Sequence, residues 1–291
     1  MKTSIIHRVS FVIVSVYFCI GAIDMIPVSA NRSVLDYIFA DILAVQKERS
    51  YTKPFESLYD TNVKSDSDQI RGFHLLGTDI NGNDVLWQTA GGAKTALLLS
   101  IGVAIVSFPV GILLGLIAGY FGGFIDELIQ WFYTTIASIP WLLFVITFLM
   151  IFGRGIFWIA LAIGLTSWVD LARLIRGETM RIKQYQFIQA ARALGMSPFQ
   201  ILLKEILPNT ASILRITFAL SSSSVILSES ILTFIGIGTE PGTSSWGVMI
   251  AEAQRELMRD PVVWWNFGAA TLLGIFPLVL ALNFLAEESE K

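Results

Sequence analysis

Six long apolar runs, at residues 9–28, 95–119, 128–152, 156–171, 211–237 and 262–286, alternate with polar segments along the 291-residue chain. A helix needs about 20 mostly apolar residues to cross roughly 30 Å of hydrocarbon, so each run is predicted to be a membrane span; the fourth is the shortest. The polar intervals are a long segment after the first run, a basic one between the fourth and fifth, and a loop at 238–261. The predicted fold class is therefore all-α and polytopic. Its parts are an N-terminal span (1–28), an extracytoplasmic segment (29–93) and a core of five spans (94–286).

The basic interval has a pattern of its own. Over 178–194, Tyr185, Ile188, Ala191 and Leu194 recur every third residue and predict a helix with one apolar side. Gly195 follows where helices commonly end in a left-handed residue. Ser197, Pro198 and Gln200 then form an N-cap, a first helical position and a capping partner, with Phe199, Leu202, Leu203 and Ile206 as the apolar side of a second helix. Pro208 is expected to stop that helix. A helical hairpin is thus predicted at 178–208, between two spans. A basic amphipathic segment can simply lie on a membrane surface. Here the paired alanines, Ala190 and Ala191, and the glycine corner favour a shaped contact for a partner.

In the second span Ser107, Gly111, Gly115 and Gly119 recur every four residues, a smooth stripe on which another helix can approach closely. A contact within the chain is the simpler reading, and a contact with a partner subunit is the alternative. Pro109 in the same helix is expected to add a bend.

Composition agrees with the pattern. Hydrophobic residues make up 54% of the chain and charged residues 15%, against about 25% charged in soluble domains. The net charge of −3, without a basic tract, argues against a nucleic-acid partner. Cys19 is the one cysteine, and His7 and His74 are far apart, so neither a disulfide nor a histidine metal pair is predicted. Arg173, Arg176, Arg181, Lys183, Arg192 and Lys204 against Glu178 and Glu205 place the hairpin in the cytoplasm. Counting spans outward places both termini there too, including the acidic tail 287–291. Val28-Ser29-Ala30 resembles a signal-peptidase site, but the first run exceeds the 7–15 residues of a signal core, which points to a retained anchor.

The hairpin resembles the signature of permease subunits of binding-protein-dependent ABC importers: Glu-Ala-Ala, three residues, Gly, nine residues, Ile, one residue, Leu-Pro. Ala190, Ala191, Gly195, Leu207 and Pro208 match; Gln189 and Glu205 stand where glutamate and isoleucine are usual. Leu76-Gly77-Thr78-Asp79 with Gly82, Asp84 and Val85 is similar to a stretch of the dipeptide, oligopeptide and nickel branch, with Asn83 in place of arginine. Residues 118–123, 172–177 and Ser245-Trp246-Gly247 are similar to further stretches of that branch, in the expected order.

The resemblance implies a type I importer permease in a bacterial cytoplasmic membrane, forming a path for short peptides or similar solutes. It implies a second, homologous permease, two ATP-binding cassette subunits, an extracytoplasmic solute-binding protein and surrounding lipid as partners. No cofactor is expected in this chain, since ATP and magnesium would be held by the ATPases, and no enzymatic activity is expected of the chain itself. The implied docking residues are Gln189, Ala190, Ala191, Arg192, Gly195, Met196, Ser197 and Pro198. Ser221, Ser222 and Glu229 are candidates for the translocation path, because an ionisable residue deep in a span marks a functional site by default; a purely packing role for Glu229 stays open. Asp79, Asp84 and Trp246 are candidates for receptor contact.

Other chemistries lack their residues. Asp79 to Asp84 is acidic, but Asp84 and Ala90 occupy the EF-hand positions that need glycine and glutamate. Gly92-Ala93-Lys94-Thr95 lacks the Gly-Lys-Ser/Thr triplet of a phosphate loop. An ATP-independent secondary transporter or channel is the rival reading. Such proteins usually show inverted repeats and ion ligands at the midplane, and neither is visible.

Overall fold

A computed structural model describes residues 2–29, 32–38, 50–55, 74–240 and 242–288. Much of the predicted extracytoplasmic segment, Ala30 of the possible cleavage site and the end of the acidic tail lie outside the described residues. The helices are α1 (Lys2–Asp24), α2 (Val34–Tyr37), α3 (Val85–Phe121), α4 (Gly123–Ala137), α5 (Trp141–Phe152), α6 (Ile156–Ile182), α7 (Gln186–Ala193), α8 (Pro198–Gln200), α9 (Leu207–Asn209), α10 (Ala211–Phe234), α11 (Trp246–Glu256), α12 (Trp265–Gly268) and α13 (Phe276–Glu288). Two π-helical stretches, Ile201–Ile206 and Ala269–Ile275, continue α8 and α12. Pro27–Ser29 (β1) pairs antiparallel with Arg32–Ser33 (β2).

Among the described residues, five helices are long and apolar enough to cross a membrane. The third predicted span is instead a pair, α4 and α5, bent by 72°. Counted as one span, the pair brings the number to six. The break falls at Ser138-Ile139-Pro140, where proline cannot donate to the preceding turn. α3 is longer than its apolar run, beginning at Val85 rather than at 95.

Two compact units divide the described chain, and they interleave rather than follow the predicted boundaries. One comprises residues 1–99, 154–156 and 223–282, the other 100–153, 157–222 and 283–291.

In the second unit, α3 and α6 pack backbone to backbone. A Cβ at Gly111 would lie 2.9 Å from the Trp168 carbonyl oxygen, one at Gly115 2.7 Å from that of Ala172, and one at Gly119 2.7 Å from that of Arg176. From the other side, Gly164 of α6 faces Val106. The small-residue stripe is therefore a contact within the chain. The same helices carry Leu116, Tyr120, Leu171, Ile175 and Ile182, on which Ile188, Ala191, Ile201, Leu202 and Ile206 of the hairpin are buried.

In the first unit, Trp246 is the wedge. Its indole N–H donates to the Thr89 carbonyl at 2.8 Å, and its ring lies against Gly92 of α3 and Gly274, where a Cβ would come within 2.3 and 2.7 Å of the indole nitrogen. Only a residue without a side chain leaves room for that ring. Trp265 donates to the Thr78 carbonyl at 3.0 Å and closes the turn before α3.

Candidate functional site

The hairpin differs from the single helix predicted over 178–194. α6 runs on to Ile182, the chain turns through Lys183, Gln184 and Tyr185, and α7 starts at Gln186. Its corner is a Schellman motif. Gly195 has φ of +81°, the Met196 N–H donates to the Ala191 carbonyl at 3.1 Å, and the Gly195 N–H donates to the Arg192 carbonyl at 3.0 Å. The next helix opens on the predicted capping box: the Gln200 N–H donates to Ser197 Oγ at 3.3 Å, and the Ser197 N–H donates to Gln200 Oε1 at 3.0 Å.

Pro208 does not stop this helix; it sits inside α9, and the chain turns at Thr210. A proline clashes with the carbonyl four residues back and offers no N–H to it. The wider π turn over Ile201–Ile206, which spans Lys204, accommodates that defect.

Of the predicted docking residues, Gln189, Ala190, Arg192, Gly195, Ser197 and Pro198 are exposed. Ala191 is buried and Met196 half-buried, both packed on the hairpin's core, so the alanine pair is split: one faces out, the other anchors. Leu194 and Phe199 overturn the apolar periodicity. Both were expected on inward faces, yet they are 84% and 68% exposed. α7 ends at Ala193 and the turn carries Leu194 away from the core. Two large apolar side chains thus flank the glycine corner on the outside.

Polar contacts hold the hairpin to the end of α3. Lys183 Nζ donates to the Tyr120 carbonyl at 2.5 Å, and the Arg192 guanidinium lies 5.1 Å from the Tyr120 ring centre. Arg176 of α6 forms a two-pronged pair with Asp126 of α4, Nε to Oδ1 at 2.5 Å and Nη2 to Oδ2 at 2.7 Å. Arg173 covers the Tyr133 ring at 5.1 Å. The charge count in the sequence marks Arg173, Arg176 and Lys183 only as signs of orientation, while Arg192 is also among the implied docking residues.

The candidates for a translocation path are buried or half-buried. Glu229 is buried, with Oε1 accepting from Ser245 Oγ at 2.6 Å and Thr233 Oγ1 at 2.8 Å. Ser222 is buried and donates to the Phe218 carbonyl at 2.8 Å, and Ser221 is half-buried. Glu229 acts here as a peg: through Ser245 it fixes the segment that carries Trp246 and caps α11.

The receptor-contact candidates face inward. Asp79, Asp84 and Trp246 are all buried. Asp79 accepts from the Asn81 and Asn83 amides at 2.7 and 2.8 Å and from the Gln88 side chain, organising the turn before α3. Asp84 pairs with His74 at 2.8 Å and caps the Trp87 N–H at 2.8 Å. Both carboxylates thus satisfy internal donors around the start of α3.

Two acids that the sequence reading passed over lie on α11, outside the spans. Burial raises Glu252 to a pKa of about 7, with Asp79 and Glu256 adding repulsion and Arg255 opposing it. Glu256 is held above the usual carboxylate range first by its burial. Helical spacing alone gave no sign that this face of α11 turns inward.

Apolar helices in this order, a bent pair and a capped polar hairpin packed on two spans define a polytopic membrane protein with a shaped polar element between two of its spans. Comparison makes the class specific. A model described as the binding-protein-dependent transport system inner membrane component matches residues 111–289. The chain belongs to that family and is a multi-pass inner-membrane protein.

Among its relatives, the oligopeptide transport system permease protein OppC of Haemophilus influenzae is 38% identical over 202 residues, 69% of this chain and 65% of the relative. The dipeptide transport system permease protein DppC of Bacillus subtilis is 33% identical over 211 residues, 72% of this chain and 64% of the relative. OppC of Escherichia coli is 35% identical, over 69% of this chain and 67% of the relative. The match thus spans slightly under two thirds of the first two relatives. A chain from the inward-facing MetNI methionine ABC transporter superposes with a TM-score of 0.52 at 16% identity, covering 70% of this chain and 91% of that one, and shows the fold.

Proposed function

We propose that the chain is a pore-forming permease subunit of an ATP-driven importer of short peptides. The names of the relatives supply the solute class. The observation that carries the reading is the hairpin corner. Gly195 holds a left-handed turn, Leu194 and Phe199 stand exposed beside it, and the hairpin's other face is buried on α3 and α6. An exposed apolar pair on a rigid polar element is a contact waiting for a partner. The partners are two ATP-binding cassette subunits, which bind and hydrolyse ATP with magnesium; a second, homologous permease completes the pore. A solute-binding protein delivers peptide to the outer face. Closure of the ATPases moves the hairpin, and with it the ends of α3 and α6, as one body. The Lys/Arg excess of the hairpin supports a cytoplasmic position for it and for both termini.

The test is a crosslink. With Cys19 replaced by alanine, cysteines at Leu194 or Phe199 should link to a co-expressed ATPase subunit, and the reconstituted complex should accumulate a labelled tripeptide only with ATP and the binding protein. Uptake by the permease without an ATPase, or a hairpin labelled from outside the cell, overturns the reading.

A further inference from the structure

A cavity of about 540 Å3 opens in the first unit, at the end of α3 opposite to Tyr120. It is lined among others by Asp24, Asp36, Trp87, Lys94, Thr243 and Ser244. Its volume falls in the range of small-ligand sites, about 300–1,000 Å3. We infer that this cavity is a subsite for the free amino terminus of a peptide, with Asp36 receiving the α-ammonium and Lys94 the adjacent carbonyl; this rests on the reading of the chain as a peptide importer permease.

The charges carry the argument. Lys94 Nζ donates to the Asp24 carbonyl at 3.0 Å and lies 3.5 Å from Asp24 Oδ2, while Asp24 Oδ1 accepts from Ser33 Oγ at 2.5 Å. That pair is neutral and internally satisfied. Asp36 has no such partner. Its Oδ2 accepts from the Ser33 N–H at 2.8 Å and its Oδ1 from the Trp87 indole at 3.1 Å, both neutral donors. No described cation pairs with it, so among the described lining residues two carboxylates and one ammonium leave one negative charge. Its two contacts leave about two of four lone-pair sites free.

The neighbouring groups narrow the ligand. An ammonium has three donors, and Lys94 directs two at Asp24, which leaves one for an acceptor in the cavity. Trp87 adds an aromatic wall, which favours a cation beside it. Cation and carbonyl acceptor in adjacent positions describe a peptide amino terminus, whereas a free carboxylate would be repelled by Asp36. The capping role of Asp36 in α2 and the tie of α1 to α3 through Lys94 explain where these residues sit. Neither role calls for an uncompensated carboxylate on an open cavity.

The experiment compares trialanine with N-acetyl-trialanine in the complete importer in proteoliposomes, each at a concentration that saturates the binding protein. The unaltered importer should favour the free peptide by about tenfold, the scale of one charge-assisted hydrogen bond. Asp36→Asn should bring the ratio close to one by slowing the free peptide, and Asp36→Glu should restore part of it. In a second measurement that leaves Asp36 in place, trialanine should protect a Thr243→Cys side chain from a cationic thiol reagent, and the acetylated peptide should not. Unchanged discrimination in Asp36→Asn, or equal protection by both peptides, sinks this inference alone. No ATP-dependent accumulation of either peptide by the unaltered importer sinks the reading beneath it.

Discussion

Replacing Gly195 with alanine isolates the hairpin corner from everything else in the molecule. A Cβ at this position would meet no atom within 4 Å, so the change introduces no clash. Its effect is confined to the backbone, which sits at φ of +81°. Placing an L-residue in the left-handed region costs about 1–2 kcal/mol, equivalent to a factor of about 5–30 in an equilibrium between the formed and the opened corner. Ile188, Ile201 and Ile206 beneath the corner are fully buried, each worth about 1.5–3 kcal/mol. The hairpin therefore stays folded, and the strain falls on the two Schellman hydrogen bonds and the position of Leu194. In proteoliposomes containing the assembled importer, tripeptide accumulated per ATP hydrolysed should drop several-fold, with the protein inserted and extracted in normal yield. Gly195→Asn should drop less, because asparagine tolerates this conformation. Gly195→Pro, which removes the N–H bonded to Arg192, should abolish coupling. The internal control is Gly177→Ala on α6, where a Cβ also meets nothing within 4 Å but no positive φ is required; it should be neutral or stabilising by about 0.5–1 kcal/mol. Equal transport per ATP in Gly195→Ala and Gly177→Ala would refute the corner's role.

Three further outcomes follow from the packing. Gly115→Val forces atoms into the Ala172 carbonyl and Ile175, where even a Cβ would lie at 2.7–2.8 Å; overpacking of about 1–3 kcal/mol should show as a lower melting temperature in detergent, and an unchanged melt contradicts the α3–α6 contact. Ser245→Ala removes a hydroxyl that donates to buried Glu229 and should destabilise by about 1–3 kcal/mol, whereas a double change with Glu229→Gln should be less than additive. Glu252, raised from 4.5 to about 7, binds its proton more tightly in the folded protein than in the unfolded one. Its stabilising contribution is thus complete below about pH 4.5 and lost as the pH rises through 7, so the melting temperature should fall across that window and Glu252→Gln should flatten the fall.

Much of the architecture was legible because bilayer thickness writes itself into apolar run length. Glycine spacing likewise marked the face of α3 on which another helix packs, without saying which, and Ser197, Gln200 and Gly195 marked both sides of the corner through capping chemistry that is local in sequence. What stayed hidden depended on tertiary placement. The 72° bend lies inside one unbroken apolar run, with Pro140 as the sole sign. Periodicity put Leu194 inward because it presumes an ongoing helix, and α7 ends one residue earlier. Asp79, Asp84 and Trp246 read as surface candidates, since nothing in their own neighbourhood says that Gln88, His74 and Thr89 will meet them. Asp36 drew no notice at all, because the lack of a counter-charge among the described residues around it shows only in the folded lining.

Rigidity within the second unit follows from how many independent ties converge on the hairpin-side ends of three helices. Tyr120 takes a hydrogen bond from Lys183 on its carbonyl and the Arg192 guanidinium on its ring, so the hairpin is fastened to α3 from both its flanks. One residue earlier, Gly119 lies against the Arg176 carbonyl, and the Arg176 side chain grips Asp126 in the geometry that gives the strongest carboxylate pairing. A push on Leu194 or Phe199 therefore meets α3, α4 and α6 together. Bending the hairpin alone would expose Ile188, Ile201 and Ile206 as well as break these polar ties, while tilting the helix ends as a group breaks none of them. The hairpin is in that sense a lever with no joint at its base, and displacement at the glycine corner has to appear as movement of the spans.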